Sequence, residues 1–552
     1  MSQPALRRRL FAPLAATLLA CLALFASPSR ASAEAPYVFI DAGHGGPFSN
    51  ANENGLYEKD VNLAIAMELR QRLLAKGYRV GIDRTGDYAV CTWDIPTWHW
   101  WSDGPHLYAD GVMSTGVPLE DLQARANMAN AAGADLFVSI HCNGVGDKSV
   151  TGIETFAPSF DPLGQRLGAL VQSEMIAQTG AVDRGDKITN FYVIRWSNMP
   201  AILIEAGFLS NPGEASRLGS AVYRWRLARA IATGVDRFFA EQPFQTVYPR
   251  VQGTDRYATA VQASRSGWAG GAGTVLLASG TNWPDALAAS PLSHKLDAPL
   301  LLTSPSTLPT VTKDELARLH PASIVVLGAE SAISATVTAE ATAAATVGTA
   351  TVEARRIGGA DRYETAALIA EEVGLPANGR VAVVSGRDFP DALSLSPYAG
   401  VLGMPILLAS GDTLPAPSQA FVDSHRGSIR SALVVGSTSA VPPSAVAGLP
   451  AVSRVGGGDR FTTNAGMVRT WGSSGRLGLL VANGLDFPDA LVAGTYGAKV
   501  GMPLMLVQPR VLPDAEREYL EINQGRVTGV TVFGAPSVIP KLMDWELQKA
   551  LD

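Results

Sequence analysis

The sequence predicts an α/β protein in two parts, an N-terminal domain built on a largely parallel sheet and a C-terminal half of three small α/β repeats. Three observations carry this. Apolar strand-like runs alternate with helical runs across residues 34–243. Two short motifs then recur three times at matched spacings. Several of the apolar runs end in glycine or in a polar side chain rather than in an ordinary turn. At 552 residues the chain is too long for one hydrophobic core. With 47% hydrophobic and 17% charged residues it reads as folded, and a net charge of −6 with no basic run past the N-terminus excludes nucleic acid as the main partner.

Residues 1–33 read as a signal peptide. Arg7-Arg8-Arg9 is the charged region, Leu10 to Phe25 the apolar region, and Ala31-Ser32-Ala33 the small-residue cleavage site. The apolar run approaches the length of a membrane anchor, and Leu18-Leu19-Ala20-Cys21 faintly resembles a lipoprotein signal. Ser27-Pro28-Ser29-Arg30 before the cleavage pattern favours removal. The mature chain is therefore expected to be secreted, with no stable membrane insertion. Of its two cysteines, Cys91 and Cys142, the sequence leaves open one disulfide or two buried thiols.

In the unique half, "YVFIDAG", "YRVGIDRTG", "ADLFVSIHCNG" and "MPAILIEAGFLSN" read as strands. "KDVNLAIAMELRQRLLAKG" and "DLQARANMANAAG" have apolar positions at helical spacing, with Gly77 and Gly133 as C-terminal stops. In an open α/β sheet, ligands gather outside the carboxyl ends of the strands. His44 stands at such an end between glycines, and His141 follows a second apolar strand. Glu58 opens a helix, and Glu205 follows four apolar residues on a third strand. Two imidazoles and a carboxylate suit zinc with a position left for water. A fourth, partnerless carboxylate suits a general base. Taken singly, each has a plainer reading: a hydrogen-bonded histidine, a carboxylate at the positive end of a helix dipole, a salt-bridged glutamate.

Together these segments resemble the zinc-dependent N-acetylmuramoyl-L-alanine amidases of bacterial cell walls, from residue 36 to about 240. The residues that carry the resemblance are Gly43-His44-Gly45, Glu58, Ser139-Ile140-His141, and the run Glu205-Ala206-Gly207-Phe208-Leu209-Ser210-Asn211. The resemblance implies one zinc ion per catalytic domain, held by His44, Glu58 and His141, with Glu205 as catalytic acid/base. The implied reaction is hydrolysis of the amide joining the lactyl group of N-acetylmuramic acid to L-alanine of the peptidoglycan stem. The chain departs from the family in a long insert, residues 88 to about 118. Its Trp93, Trp98, Trp100 and Trp101 could stack on sugars, cover the cleft or pack on the domain surface. His99 and His106 lie there without strand support.

From Gly253 the chain repeats. "GTDRYATAV", "GADRYETAA" and "GGDRFTTNA" start at Gly253, Gly359 and Gly457, and "SGTNWPDAL", "SGRDFPDAL" and "NGLDFPDAL" at Ser279, Ser385 and Asn483. Both series are separated by 106 and then 98 residues, which predicts units at 247–350, 351–449 and 450–552 after a catalytic domain at 34–243. The units resemble type 2 cell-wall-binding repeats. That resemblance implies packing with pseudo-threefold symmetry and noncovalent attachment to an anionic cell-wall polymer. The region holds 23 basic and 26 acidic residues, so a polyanion would need local positive charge. Arg256, Arg362 and Arg460 are the repeated candidates. Their structural alternative has Asp255, Asp361 and Asp459 capping helices and the arginines in internal pairs. Pro284, Pro390 and Pro488 fit the first position of helices, and Trp283, Phe389 and Phe487 fit the core. The leading expectation is a secreted, wall-associated peptidoglycan hydrolase. A surface-layer or adhesion protein with little activity, and a zinc peptidase cutting within the stem, stand as alternatives.

Overall fold

The computed structural model describes residues 35–90, 119–241, 248–346, 348, 351–471 and 476–552. The signal-peptide reading, the Cys91–Cys142 question and the aromatic insert from 91 to 118, with its four tryptophans, His99 and His106, lie outside the described residues. Cys142 itself is buried.

The first domain runs β1 (Tyr37–Ala42), α1 (Glu58–Ala75), β2 (Arg79–Ile82), α2 (Leu119–Ala132), β3 (Leu136–Asn143), β4 (Ile153–Ala157), α3 (Pro162–Thr179), β5 (Asp183–Ile188), α4 (Tyr192–Arg195), β6 (Ala201–Phe208), α5 (Pro212–Gly219) and α6 (Ala221–Glu241). The sheet order is β2-β1-β3-β6-β4-β5, parallel throughout except where β4 meets β6. The apolar runs are continuous because both faces of the sheet are covered. On one face Val38, Ile40, Val138, Ile140, Ile202 and Ile204 pack on Val61, Ile65 and Leu69 of α1, Leu167 and Val171 of α3, and Leu227 and Ile231 of α6. On the other, Phe39, Phe137, Ala201 and Leu203 pack on Ala129 of α2 and Val193 and Ile194 of α4. Each of the Val, Leu, Ile and Phe side chains contributes roughly 1.5–3 kcal/mol of burial. Gly77 and Gly133 take positive φ after α1 and α2, as the sequence predicts.

Each repeat holds a four-stranded parallel sheet. In the first the order is Leu300–Thr303, Thr274–Ser279, Ser323–Leu327, Glu353–Ile357, so the last strand is drawn from the chain leading into the next unit. The second borrows Val452–Val455 in the same way. In the third, that edge is filled by Arg250–Val251, which enters before the first repeat and closes a ring. A buried ion pair, Arg250 to Asp544 at 2.6 Å, fastens that closure. Helices Ala289–Leu296, Pro390–Val401 and Pro488–Val500 pack on one another in the middle. A Cβ on Gly400 would fall 2.4 Å from that of Ala498 and 2.8 Å from Ser290 Oγ, so only glycine fits there.

The repeated motifs build this ring. Asp255, Asp361 and Asp459 accept backbone N–H bonds as helix caps, at 2.8 Å from Ala258, 2.9 Å from Glu364 and 2.7 Å from Thr462. Arg256, Arg362 and Arg460 donate to Gly280, Gly386 and Gly484 carbonyls at 2.7, 2.9 and 2.9 Å. Each guanidinium also lies over an aromatic ring of a neighbouring unit: Arg362 over Trp283 at 4.9 Å, Arg460 over Phe389 at 5.5 Å, and Arg256 over Phe487 at 5.6 Å.

The third repeat also docks on the first domain. Lys541 pairs with Asp135 at 3.1 Å, and Arg510 donates to the Arg195 carbonyl at 2.7 Å. Asn198 donates to the Ser537 carbonyl at 3.0 Å, while Leu542 and Trp545 join the first domain's core. Asp135 immediately precedes β3, so this contact lies at the amino ends of the strands.

One position breaks the repeat. Thr312 and Ser418 donate to Leu302 and Leu408 carbonyls at 2.8 and 2.9 Å. The corresponding residue in the third unit is Glu516, whose two carboxylate oxygens are enclosed without partners. Burial, with Asp459 adding and Arg469 opposing, pushes its carboxyl up to about 8. The folded state therefore holds a proton that the unfolded chain releases near pH ~4.3. Stability from this group is present at low pH and is lost as pH rises towards 8. Glu516→Gln is expected to raise the melting temperature by several degrees at pH 8 and by much less at pH 5, read by thermal denaturation at both.

Candidate active site

β1 delivers the chain to its carboxyl end, where Gly43 carries it past the His141 ring; a Cβ on Gly43 would sit 2.3 Å from the imidazole. His44 then adopts φ 65°, a left-handed conformation that a non-glycine residue keeps only under constraint. The constraint is a buried guanidinium. Arg125 on α2 donates to the His44 carbonyl at 2.9 Å, to Asp41 at 2.7 Å, to Asp83 at 2.6 Å and to Asp121 at 2.7 Å. Arg84 braces the same turn through the carbonyls of Ala42 and Gly43, at 2.7 and 3.1 Å. Burial works against ionisation of Asp41, but Arg125 holds its carboxyl below the ordinary range. Burial and neighbouring Asp41 push Asp83 well above it.

His141 lies near the end of β3 and pairs in register with Glu205 on β6. Glu58 is the first residue of α1, and its carboxylate reaches across the strand ends. Its Oε1 lies 3.2 Å from His44 Nε2 and 3.1 Å from His141 Nδ1. Asn50 donates to its Oε2 at 2.8 Å, and the Cys142 N–H to its Oε1 at 3.2 Å. Burial would raise this carboxyl, yet the hydrogen bonds from His141 and His44 hold it below the usual value. Burial lowers His44, which keeps it a neutral imidazole, the form that binds a metal.

One ligand atom from each of His44, Glu58 and His141 lies within 4.8 Å of the others. The donor set, two imidazoles and a carboxylate from three separate elements, fits a zinc ion. The hydrogen bonds on Glu58 are of the kind that orient ligating carboxylates. Glu205 lies beside this cluster with its Oε2 enclosed and without a partner. Burial, then the charges of Glu58 and Glu154, push its carboxyl well above the ordinary range. The four residues singled out in the sequence thus converge. β6 continues past Glu205 to Phe208, so this glutamate stands short of the strand tip. Arg256, Arg362 and Arg460 are elsewhere, in the ring of repeats.

Sequence reasoning missed two groups here. The first is the Arg125 clamp. Its signal was a polar residue at the end of two neighbouring strands, Asp41 and Asp83, and one arginine as the single basic residue of its helix. The second is Glu154, directly opposite Glu205 on antiparallel β4, flanked by Arg184 and Lys187 of β5. The described flanks of the aromatic insert also meet here, since the Val90 N–H donates to Asp121 at 2.8 Å.

Residues 38–237 match the family model for N-acetylmuramoyl-L-alanine amidase. Residues 250–338, 356–446 and 454–543 match cell wall binding domain 2 three times. The uncharacterized protein YqiI of Bacillus subtilis (strain 168) is 36% identical over 224 residues, 40% of this chain and 93% of that protein. The N-acetylmuramoyl-L-alanine amidase LytC of the same organism is 29% identical over 294 residues, 53% of this chain and 56% of its own length, so the chain spans about half of that relative. A solved N-acetylmuramoyl-L-alanine amidase from Clostridium difficile 630 is 35% identical, covering 38% of this chain and 98% of that one with a TM-score of 0.31. The chain belongs to the N-acetylmuramoyl-L-alanine amidase family, and is a peptidoglycan amidase carrying three cell-wall-binding repeats.

Proposed function

We propose that His44, Glu58 and His141 hold one zinc ion, and that Glu205 is the acid/base in hydrolysis of the lactyl–L-alanine amide of peptidoglycan. The observation that carries this reading is the convergence of the three donors within 4.8 Å beside a carboxylate whose Oε2 has no other partner. A zinc ion in such a site polarises the scissile carbonyl and makes water acidic enough to attack near neutral pH. Glu205 takes the proton from the attacking water and hands it to the departing alanine nitrogen. The residue must be ionised when water attacks and protonated when the nitrogen leaves. Asn50 and the Cys142 N–H keep Glu58 aimed at the two imidazoles, and Arg125 keeps the His44 turn in place.

The repeats hold the enzyme at the wall through an anionic polymer, outside the cell after removal of residues 1–33. Among the described residues no helix is long and apolar enough to cross a membrane. The repeated arginines are committed to carbonyls and aromatic rings inside the ring, which supports a structural role for them. Polymer contact then falls to positions that differ between units.

The decisive experiment incubates the mature protein with purified peptidoglycan and reads new amino termini. L-Alanine is expected, and its appearance should stop with a chelator and return with zinc. Another terminus would mean a peptidase, and no release would mean a binder. Glu205→Gln is expected to retain zinc, measured by metal analysis, while turnover falls ~10²–10⁴-fold. Arg362→Gln is expected to cost ~1–2 kcal/mol of stability with wall sedimentation unchanged below the melting temperature.

A further inference from the structure

Across the carboxyl half of the sheet, functional side chains follow one another strand by strand on a single face. His141 on β3 pairs with Glu205 on β6, and Glu205 pairs with Glu154 on β4. On β5 a register shift sets Arg184 and Gly185 opposite Glu154, and Lys187 pairs with Phe156. Glu154 and Phe156 share a face, and Phe156 packs with the cluster beneath the active site. Arg184 and Lys187 therefore stand on the catalytic face. The acids next to them on the strand, Asp183 and Asp186, pair with Ile153 and Thr155 and face α3 instead.

Glu154 is buried, with Arg184 Nε at 3.1 Å from its Oε2, Lys187 Nζ on the same oxygen, and Asn143 donating to its Oε1 at 3.0 Å. Two cations against one carboxylate leave a surplus positive charge. Both cations remain open to solvent, with side chains 34% and 39% exposed. Phe208 and Phe156 lie under them, at 5.0 and 5.6 Å from ring centre to charge. The charges are thus held in place and still reachable.

We infer that Arg184 and Lys187 form a subsite for a carboxylate of the stem peptide, the α-carboxylate of its second residue. This deepens the amidase reading and rests on it. If Glu205 protonates the departing nitrogen, the leaving peptide lies on Glu205's side of the metal ligands. Beyond Glu205 on that side come Glu154 and the two cations. The edge strand is two strand spacings from β6, about 9–10 Å, and two peptide residues reach about 7 Å. The acetylated amino-sugar side of the bond carries no charge to match, whereas the stem peptide is rich in carboxylates.

Two soluble substrates test this. Both are N-acetylmuramoyl tripeptides with D-glutamate joined through its γ-carboxyl and a C-terminal amide; in one the glutamate α-carboxylate is free, in the other it is amidated. The zinc-loaded protein is expected to favour the free acid ~10–100-fold in kcat/KM, the strength of a charge-assisted hydrogen bond. Arg184→Gln, which leaves Lys187 on Glu154, should shrink that ratio, and R184Q/K187M should bring it near one. Zinc content and melting temperature report whether each variant is folded. A native protein that cleaves both substrates equally, or variants that slow both by the same factor, would overturn the subsite and leave the amidase reading standing. No release of the peptide from either substrate would overturn both.

Discussion

The active site depends on one buried guanidinium. Arg125 reaches from α2 into the carboxyl end of the sheet and gathers Asp41 from β1, Asp83 from the end of β2, Asp121 from its own helix and the carbonyl of His44. Arginine does this where lysine would not, because its planar donors point in several fixed directions and its charge survives burial. The acids are tolerable in the interior because that charge is there and because Ser139 donates to Asp41 and the Ala42 and Arg84 N–H groups to Asp83. In return the turn after β1 is held in the left-handed shape that swings His44 towards Glu58 and His141. The catalytic geometry is thus set by a polar core beneath it.

The same sheet organises the whole chain by its polarity. Its carboxyl ends hold His44, Glu58 and His141, while its amino ends receive the third wall-binding repeat through Lys541, Arg510 and the apolar pair Leu542 and Trp545. Anchor and cleft therefore lie at opposite poles of one rigid layer. The ring of repeats is in turn closed by two residues, Arg250–Val251, at the junction between the halves. The junction that carries the chain out of the catalytic domain is also the strand that completes the last repeat.

Local chemistry was readable where a residue's role is set by its own neighbours in the chain. The Asp caps of the repeats, the glycine stops after α1 and α2, and the covered strands follow from spacing and composition alone. The repeated arginines were ambiguous because a cation in a loop has the same local pattern whether it meets a polymer or a ring from the next unit. Glu154 passed unnoticed for a related reason: its significance comes from standing opposite Glu205, and the pairing of β4 with β6 joins segments some fifty residues apart.

The sequence by itself determined the α/β character and the threefold repetition, and it singled out His44, Glu58, His141 and Glu205, since these rest on periodicity and on residue types that only certain chemistries use. Tertiary structure alone decided that Arg125 sits under the His44 turn and that Arg184 and Lys187 join the catalytic face. It also decided that the repeats share strands and that the third docks beneath the catalytic sheet. Those outcomes depend on strand order, register and burial, and such long-range contacts leave no periodic trace along the chain.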